Sequence, residues 1–239
     1  MKKLCALILI INFSILNSTA QDYIKASVFG STGPEFIHGY SIDNAGDLII
    51  AGTFTNTVDF NMAQEEESLY TAISNYDMYI AKYDIAGNYK WAININGNVA
   101  EEYYLYGLAT DNNNNIYITG FTDGWIDLDP SNEEVIVNEQ EDRVFFIAKY
   151  NPSGEYLWGH TIGNNETNGS IIGWDVAVDD ASEYLYVCGV FNDSTDFDPS
   201  ENTFYLAPPR YGNLFLAKYT IDGVFTWAKM MSHPTEYGY

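Results

Sequence analysis

Cysteine and positive charge are what this chain has least of. Two cysteines, Cys5 and Cys188, occur in 239 residues, and Cys5 falls in the leader described below, so no disulfide framework holds the fold. Cys188 sits in the alternating run Leu185-Tyr186-Val187-Cys188-Gly189 without a basic neighbour, which reads as a small apolar packing residue rather than a reactive thiol. Ten Lys and Arg stand against 33 Asp and Glu, a formal net charge of −23. A surface of that sign repels nucleic acid and anionic lipid and leaves cations, neutral glycans or proteins as partners. His38, His160 and His233 are far apart, outside any zinc-ligand spacing. Gly-x-Ser-x-Gly elbows and phosphate-binding glycine loops are missing as well, and no organic cofactor is expected.

Long apolar runs are also scarce, with one exception at the start. Met1-Lys2-Lys3 precedes an apolar stretch from Leu4 to Leu16, and Ser18-Thr19-Ala20 then gives way to Gln21-Asp22. A charged start, a short apolar middle and small residues before a polar boundary define a secretory signal peptide, residues 1–20, cut after Ala20. The run is too short for a comfortable membrane span. The expected product is secreted or displayed on the cell surface, with a net charge of about −25 once Lys2 and Lys3 are gone.

What the chain does have is repetition. Ala81-Lys82-Tyr83 with Trp91, Ala148-Lys149-Tyr150 with Trp158, and Ala217-Lys218-Tyr219 with Trp227 share a Lys-to-Trp spacing of nine residues, at intervals of 67 and 69 residues. Upstream of each lies a turn and a β-rich run ending in Gly52, Gly120 or Gly189, opened by Asp43, Asp111 or Asp179. β-branched and aromatic residues bounded by Gly, Asn and Asp are strand signals, and outside the leader no window shows a helical period. Each unit reads as four strands, a to d, for which the middle copy gives 104–110, 115–122, 143–150 and 155–162. Gly-containing turns join c to d. A four-stranded antiparallel sheet repeated along a chain is a propeller blade, and such blades must stack to bury both faces. The expected fold is therefore all-β, with blades at about 36–97, 103–163 and 171–231. Residues 24–30 align with a d strand and 236–239 with the start of a fourth unit. Three blades fall short of the four to eight of a closed propeller, so the expectation is an incomplete ring and a piece of a longer protein, with further blades or self-association completing it.

The residues resemble the secreted bacterial β-propeller repeat known as SBBP. Its pattern is visible in Asn115-Ile116-Tyr117-Ile118-Thr119-Gly120, Asp196-Phe197-Asp198-Pro199, Phe146-Ile147-Ala148-Lys149 and Gly154 to Trp158, and the likeness covers nearly all of 24–239. The first unit departs from it, with Asp47-Leu48-Ile49 for Asn-Ile-Tyr and Asp59-Phe60-Asn61-Met62 for the Asp-x-Asp-Pro corner. The resemblance implies an exported propeller and brings no assigned catalytic residue with it.

A catalytic group is needed once, whereas a blade-building group is needed in every blade. Lys82, Lys149 and Lys218 are accordingly read as structural, each paired with Asp43, Asp111 or Asp179, since buried charges need partners; the competing reading is a cationic ring around a central channel. Trp91, Trp158 and Trp227 read as packing between blades, or alternatively as sugar-stacking platforms. Gly52, Gly120 and Gly189 belong to the repeat frame. Thr220 to Trp227 resembles the Asp-box turn of sialidases, but Arg143 and Arg210 are too few for a carboxylate-binding arginine triad. The functional expectation is a non-enzymatic binding module whose varied b-to-c insertions meet a protein or a glycan. The alternatives are a glycan hydrolase or lyase using rim acids, or a fragment without independent function. The corners Asp127-Leu128-Asp129-Pro130 and Asp196-Phe197-Asp198-Pro199 are candidates for Ca²⁺, because period-two spacing puts Asp127 and Asp129, or Asp196 and Asp198, on one side of an extended segment. Bound calcium predicts a thermal midpoint that rises with the ion and falls with chelator; a midpoint indifferent to both would remove the metal.

Overall fold

The computed structural model describes residues 33–61, 69–72, 76–97, 103–131, 133, 135–137, 143–163, 170–179, 181–209 and 212–231. The leader at 1–20, the strand expected at 24–30 and the partial unit at 236–239 lie outside the described residues. Every regular element among the described residues is a β-strand.

The first sheet is built from β1 (Glu35–Ile42), β2 (Leu48–Phe54), β5 (Asp77–Tyr83) and β6 (Tyr89–Ile95), with β3 (Thr57–Asp59) and β4 (Leu69–Thr71) forming a two-stranded ribbon in the b-to-c insertion. The second repeats this with β7 (Tyr103–Thr110), β8 (Ile116–Thr122), β11 (Val144–Tyr150) and β12 (Tyr156–Ile162), and a ribbon of β9 (Ile126–Asp127) and β10 (Ile136–Val137). The third uses β13 (Ile171–Val178), β14 (Tyr184–Phe191), β17 (Asn213–Thr220) and β18 (Phe225–Met231), with β15 (Thr195–Asp196) and β16 (Tyr205–Leu206) as its ribbon. Each sheet is an antiparallel meander. The first strands β1, β7 and β13 lie side by side, and the sheets radiate from that line in an unclosed arrangement of propeller blades.

Burial follows from this stacking. In the first two sheets the third strands β5 and β11 are buried at all seven positions, because each face meets apolar side chains. Ile49, Ala51, Met78 and Ile80 of the first sheet pack on Ile116, Ile118, Phe146 and Ala148 of the second. Tyr117, Phe145 and Ile147 on the other face of the second sheet pack on Leu185, Val187, Phe215 and Ala217 of the third. In the third sheet β14 instead alternates between buried and half-buried residues, the signature of a sheet covered on one face.

Local chemistry makes the three copies superimposable. Asp43, Asp111 and Asp179 open the a-to-b turns by accepting N–H groups at their Oδ1 atoms: Ala45 and Asp47, Asn113 and Asn115, Glu183 and Tyr184. The c-to-d turns are closed in the same manner by three different residues, Asp84, Asn151 and Thr220, followed by Gly87, Gly154 and Gly223 at φ of 77°, 85° and 81°. Gly52, Gly120 and Gly189 have a different reason to be glycine. A Cβ there would lie within 2 Å of the Phe36, Tyr104 or Ile172 carbonyl oxygen across the strand pair, where the first strands carry bulges at Ile37/Gly39, Leu105/Gly107 and Gly173/Asp175.

The b-to-c insertions, expected as solvated loops, are tied down at one point per blade. Phe60, Leu128 and Phe197 are fully buried, and their carbonyls accept the hydroxyls of Tyr83, Tyr150 and Tyr219 at 2.9, 2.8 and 2.9 Å. Burial pushes the Tyr150 and Tyr219 phenols far above their ordinary range, with neighbouring Asp129 and Asp198 adding to it, so both remain donors. Tyr150→Phe leaves the Leu128 carbonyl without this buried donor and is expected to cost about 1–3 kcal/mol in denaturant-derived stability. A variant as stable as the parent would contradict this anchoring.

Candidate functional site

The repeated lysines solve the same burial problem in different ways. Lys82 is buried, with its ammonium 2.7 Å from Asp43 and 3.4 Å from Asp47, and Lys90 also reaches Asp47. Burial alone raises the Asp43 carboxyl, but Lys82 and the N–H groups of Asp47 and Ala45 outweigh it and hold the pKa below its ordinary value. The pairings expected for the other two copies do not form. Tyr117 occupies the position of Ile49, its hydroxyl donates to Asp111 at 3.0 Å, and Lys149 lies over its ring at 5.2 Å. In the third copy Lys218 sits 3.4 Å above the Tyr184 ring centroid. An aromatic ring between strand and turn thus displaces the Lys–Asp pair with a Tyr–Asp hydrogen bond or a cation–π contact. Lys82 and Lys149 are buried between sheets, so they do not line a channel.

Lys and Trp act together across the blade boundary. Lys82 Nζ and Trp91 Nε1 both donate to the Pro152 carbonyl, at 3.5 and 3.2 Å, while Lys149 and Trp158 both donate to the Ile221 carbonyl, at 3.0 and 3.1 Å. The Trp91 and Trp158 rings lie against Gly154 and Gly223 of the same turns. These two indoles join neighbouring blades.

The Asp-x-Asp corners are turns whose carboxylates are already engaged. Asp127 Oδ1 accepts the N–H groups of Asp129 and Val135, Asp196 Oδ1 those of Asp198 and Phe204, and Asp129 and Asp198 accept those of Ser131 and Ser200. The first copy makes the same turn with Asn61, whose N–H donates to Asp59. Among the described residues, no three His, Cys, Asp or Glu side chains converge as a metal cluster.

Sequence reasoning missed the most distinctive surface. The bulged residue of each first strand is His38, Tyr106 or Trp174, at equivalent positions of the three copies. Around the first two gathers a run of rings: Phe36 to His38 at 5.9 Å, His38 to Tyr106 at 6.0 Å, Tyr106 to Tyr104 at 6.1 Å and Tyr104 to Tyr76 at 6.3 Å. Phe121 backs Tyr104 and Tyr106, and Arg143 lies over Phe121 while held by both oxygens of Asp123. All lie at the end of the sheets from which the b-to-c insertions emerge. Burial lowers the pKa of His38, so its ring is neutral near pH 7 and both donates and accepts; Nε2 lies 3.2 Å from Thr53 Oγ1. These positions carry three different residues, His, Tyr and Trp, so the repeat does not mark them. A second concavity of about 340 Å³ lies at the rim between the second and third blades, where His160, Asp198, Asp222 and Phe225 are among its lining residues.

No family model matches the chain. Among curated proteins it is similar to an uncharacterized WD repeat-containing protein of Acanthamoeba polyphaga mimivirus, 27% identical over 172 residues. That match takes in 67% of this chain and 12% of the relative. The likeness to a WD repeat protein fits the propeller blades seen in the fold. No helix among the described residues is long and apolar enough to cross a membrane.

Removing the Lys82 charge leaves Asp43 buried without its cation, so Lys82→Met is expected to destabilise by about 3–5 kcal/mol. In the parent the folded pKa of Asp43 lies below the unfolded one. Its contribution is therefore full above the ordinary aspartate range near pH 4 and lost as the pH falls through the lower folded value. Denaturation of parent and variant as a function of pH checks both; equal stability at pH 7, or equal acid slopes, would overturn the assignment.

Proposed function

We propose that the chain is an exported, non-catalytic propeller module of the SBBP type that binds a protein or a glycan through the bulged aromatic surface of its first strands. Export rests on the leader at residues 1–20, and the SBBP reading on the motifs of the second and third blades. The observation that carries the binding function is the placement of His38, Tyr106 and Trp174 on equivalent bulges beside the b-to-c insertions. Bulges re-aim side chains and cluster at functional sites, and partly exposed aromatic rings with a polar edge suit both protein hot spots and saccharide faces. The similarity to a WD repeat-containing protein is compatible with an interaction scaffold. The net charge of −23 favours a neutral or cationic partner.

Affinity electrophoresis and product analysis on a panel of neutral polysaccharides test the glycan arm. Retention without bond cleavage, lost in Tyr106→Ala and Trp174→Ala with the fold intact, is the expected result. Cleavage by purified protein would replace the binder with a glycan-active enzyme, and retention unchanged in both variants would remove this surface as the site.

A further inference from the structure

Two motifs that the aromatic surface does not use meet at the rim concavity between the second and third blades. Asp198 and Pro199 come from the Asp-x-Asp-Pro corner, Asp222 to Val224 from the tight turn before β18, and His160 from β12 of the preceding blade. At about 340 Å³ the cavity is within the size range of small-ligand sites. It shares no lining residue with the bulged aromatic run.

The boundary between the first and second blades shows what is particular here. There Ile93 takes the place of His160. An added Cβ at Gly154 would lie 3.3 Å from Ile93 Cγ2, and one at Gly223 would lie 2.7 Å from His160 Nε2. Ile93 packs against the apolar core. His160 lies at 32° to Trp158 with centroids 5.3 Å apart, and its imidazole makes no hydrogen bond among the described residues. A half-buried ring thus keeps one donor and one acceptor unused, where such groups ordinarily find partners. Burial lowers its pKa, so the ring is neutral near pH 7 and does not repel a cation. The turn changes in parallel, with Asp222 where the second blade has Ser153 and Val224 where it has Glu155.

The lining offers more acceptors than donors. The Asp222 carboxylate has Lys149 as its nearest cation, 4.0 Å away and already donating to the Ile221 carbonyl. Asp198 accepts the Ser200 N–H at Oδ1, and Asn202 donates to Ser200 Oγ; Asp198 Oδ2 and the Asn202 side-chain oxygen accept no hydrogen bond among the described residues. Pro199, Val224 and Phe225 supply an apolar wall. No three of the acidic and imidazole groups converge on one metal ion among the described residues. Acceptors spread around an apolar wall fit an extended organic cation, whose N–H groups donate and do not accept. We propose that this cavity takes a lysine or arginine side chain of a partner protein, with the alkyl stem on Pro199, Val224 and Phe225 and the cationic head among Asp198, Asp222 and Asn202. A net charge of −23 steers such a partner toward the chain. A saccharide hydroxyl accepts as well as donates, and one imidazole with one amide is a small donor set for it.

Heteronuclear NMR of the isotope-labelled chain, titrated with N-acetylarginine amide and with N-acetyllysine amide, tests this. Saturable shifts of the Gly223 N–H and the Asn202 side-chain amide are expected with at least one of them, and none with N-acetylnorleucine amide, which has the stem without the charge. Asp222→Asn should raise the dissociation constant about tenfold. The Asp222 side chain is 81% exposed, so the thermal midpoint of that variant should stay at the parent's. His160→Ile installs the residue that the first blade carries at this place and should weaken binding about threefold or more with the fold kept. No saturable shift with either cation, shifts spread evenly over the acidic surface, or binding equally strong in both variants would overturn the proposal. Saturable shifts with methyl glycosides in place of the cations would overturn it in favour of a saccharide. The cavity and the aromatic surface share no residue, so retention at the aromatic surface stands or fails separately.

Discussion

A sheet that is apolar on both faces has to be covered on both, and this requirement organises the molecule. The central strands β8 and β11 bury all seven of their residues between the first and third sheets, and β5 does so with Val58 and Phe60 of its own insertion packed over the face turned away from the second sheet. Apolar burial, at about 25 cal/mol per Å², supplies the driving force but does not set the angle or the spacing. Those come from polar contacts at fixed points. The Lys–Trp pair grips the next blade's turn near the outer edge, and the hydroxyl pair of Ser41 and Thr110 meets at 2.8 Å between the first two blades. Asn44 reaches Asn112 and Asn114 across the same boundary, and Asn112 reaches Ser182 across the next. Each boundary is thus held at more than one radius.

The repeats differ where the frame can absorb a difference. Ile49 in the first blade leaves room for Lys82 to reach Asp43; Tyr117 in the second fills that room, and its hydroxyl takes over the aspartate. The two changes belong together, because a buried carboxylate needs either a cation or a donor. Asp84, Asn151 and Thr220 likewise close one turn geometry with a carboxylate, an amide and a hydroxyl. What is kept in each case is an acceptor at a given place. Residue identity is free to drift around it.

This distinction explains what could be read from the sequence. The middle blade's strands, expected at 104–110, 115–122, 143–150 and 155–162, lie within a residue of Tyr103–Thr110, Ile116–Thr122, Val144–Tyr150 and Tyr156–Ile162, since strand periodicity and turn residues are local signals. The partner of Lys82 was legible because Asp43 recurs with it. Lys149 and Lys218 were misassigned because the competing ring, Tyr117 or Tyr184, comes from the neighbouring strand, and its priority depends on three-dimensional distance. The ribbons and their Tyr anchors were hidden for a similar reason: Tyr83, Tyr150 and Tyr219 meet Phe60, Leu128 and Phe197 across 22 or 23 residues, and strands of two or three residues leave too short a pattern to detect.

The aromatic surface follows from the same economy of positions. A bulge pushes one side chain out of the pleat of each first strand, and Gly52, Gly120 and Gly189 accommodate it by leaving space for the carbonyl that the bulge displaces. The glycine repeats because the backbone distortion repeats. His38, Tyr106 and Trp174 do not repeat, because the bulge fixes the backbone and leaves each side chain to its own neighbours: His38 meets Thr53 and Tyr106, and Tyr106 meets Tyr104 and Phe121. A position whose backbone repeats and whose residue type does not is where selection for a ligand can act. In this fold the same three bulges that break the regularity of the first strands are therefore the places where chemistry can vary from blade to blade.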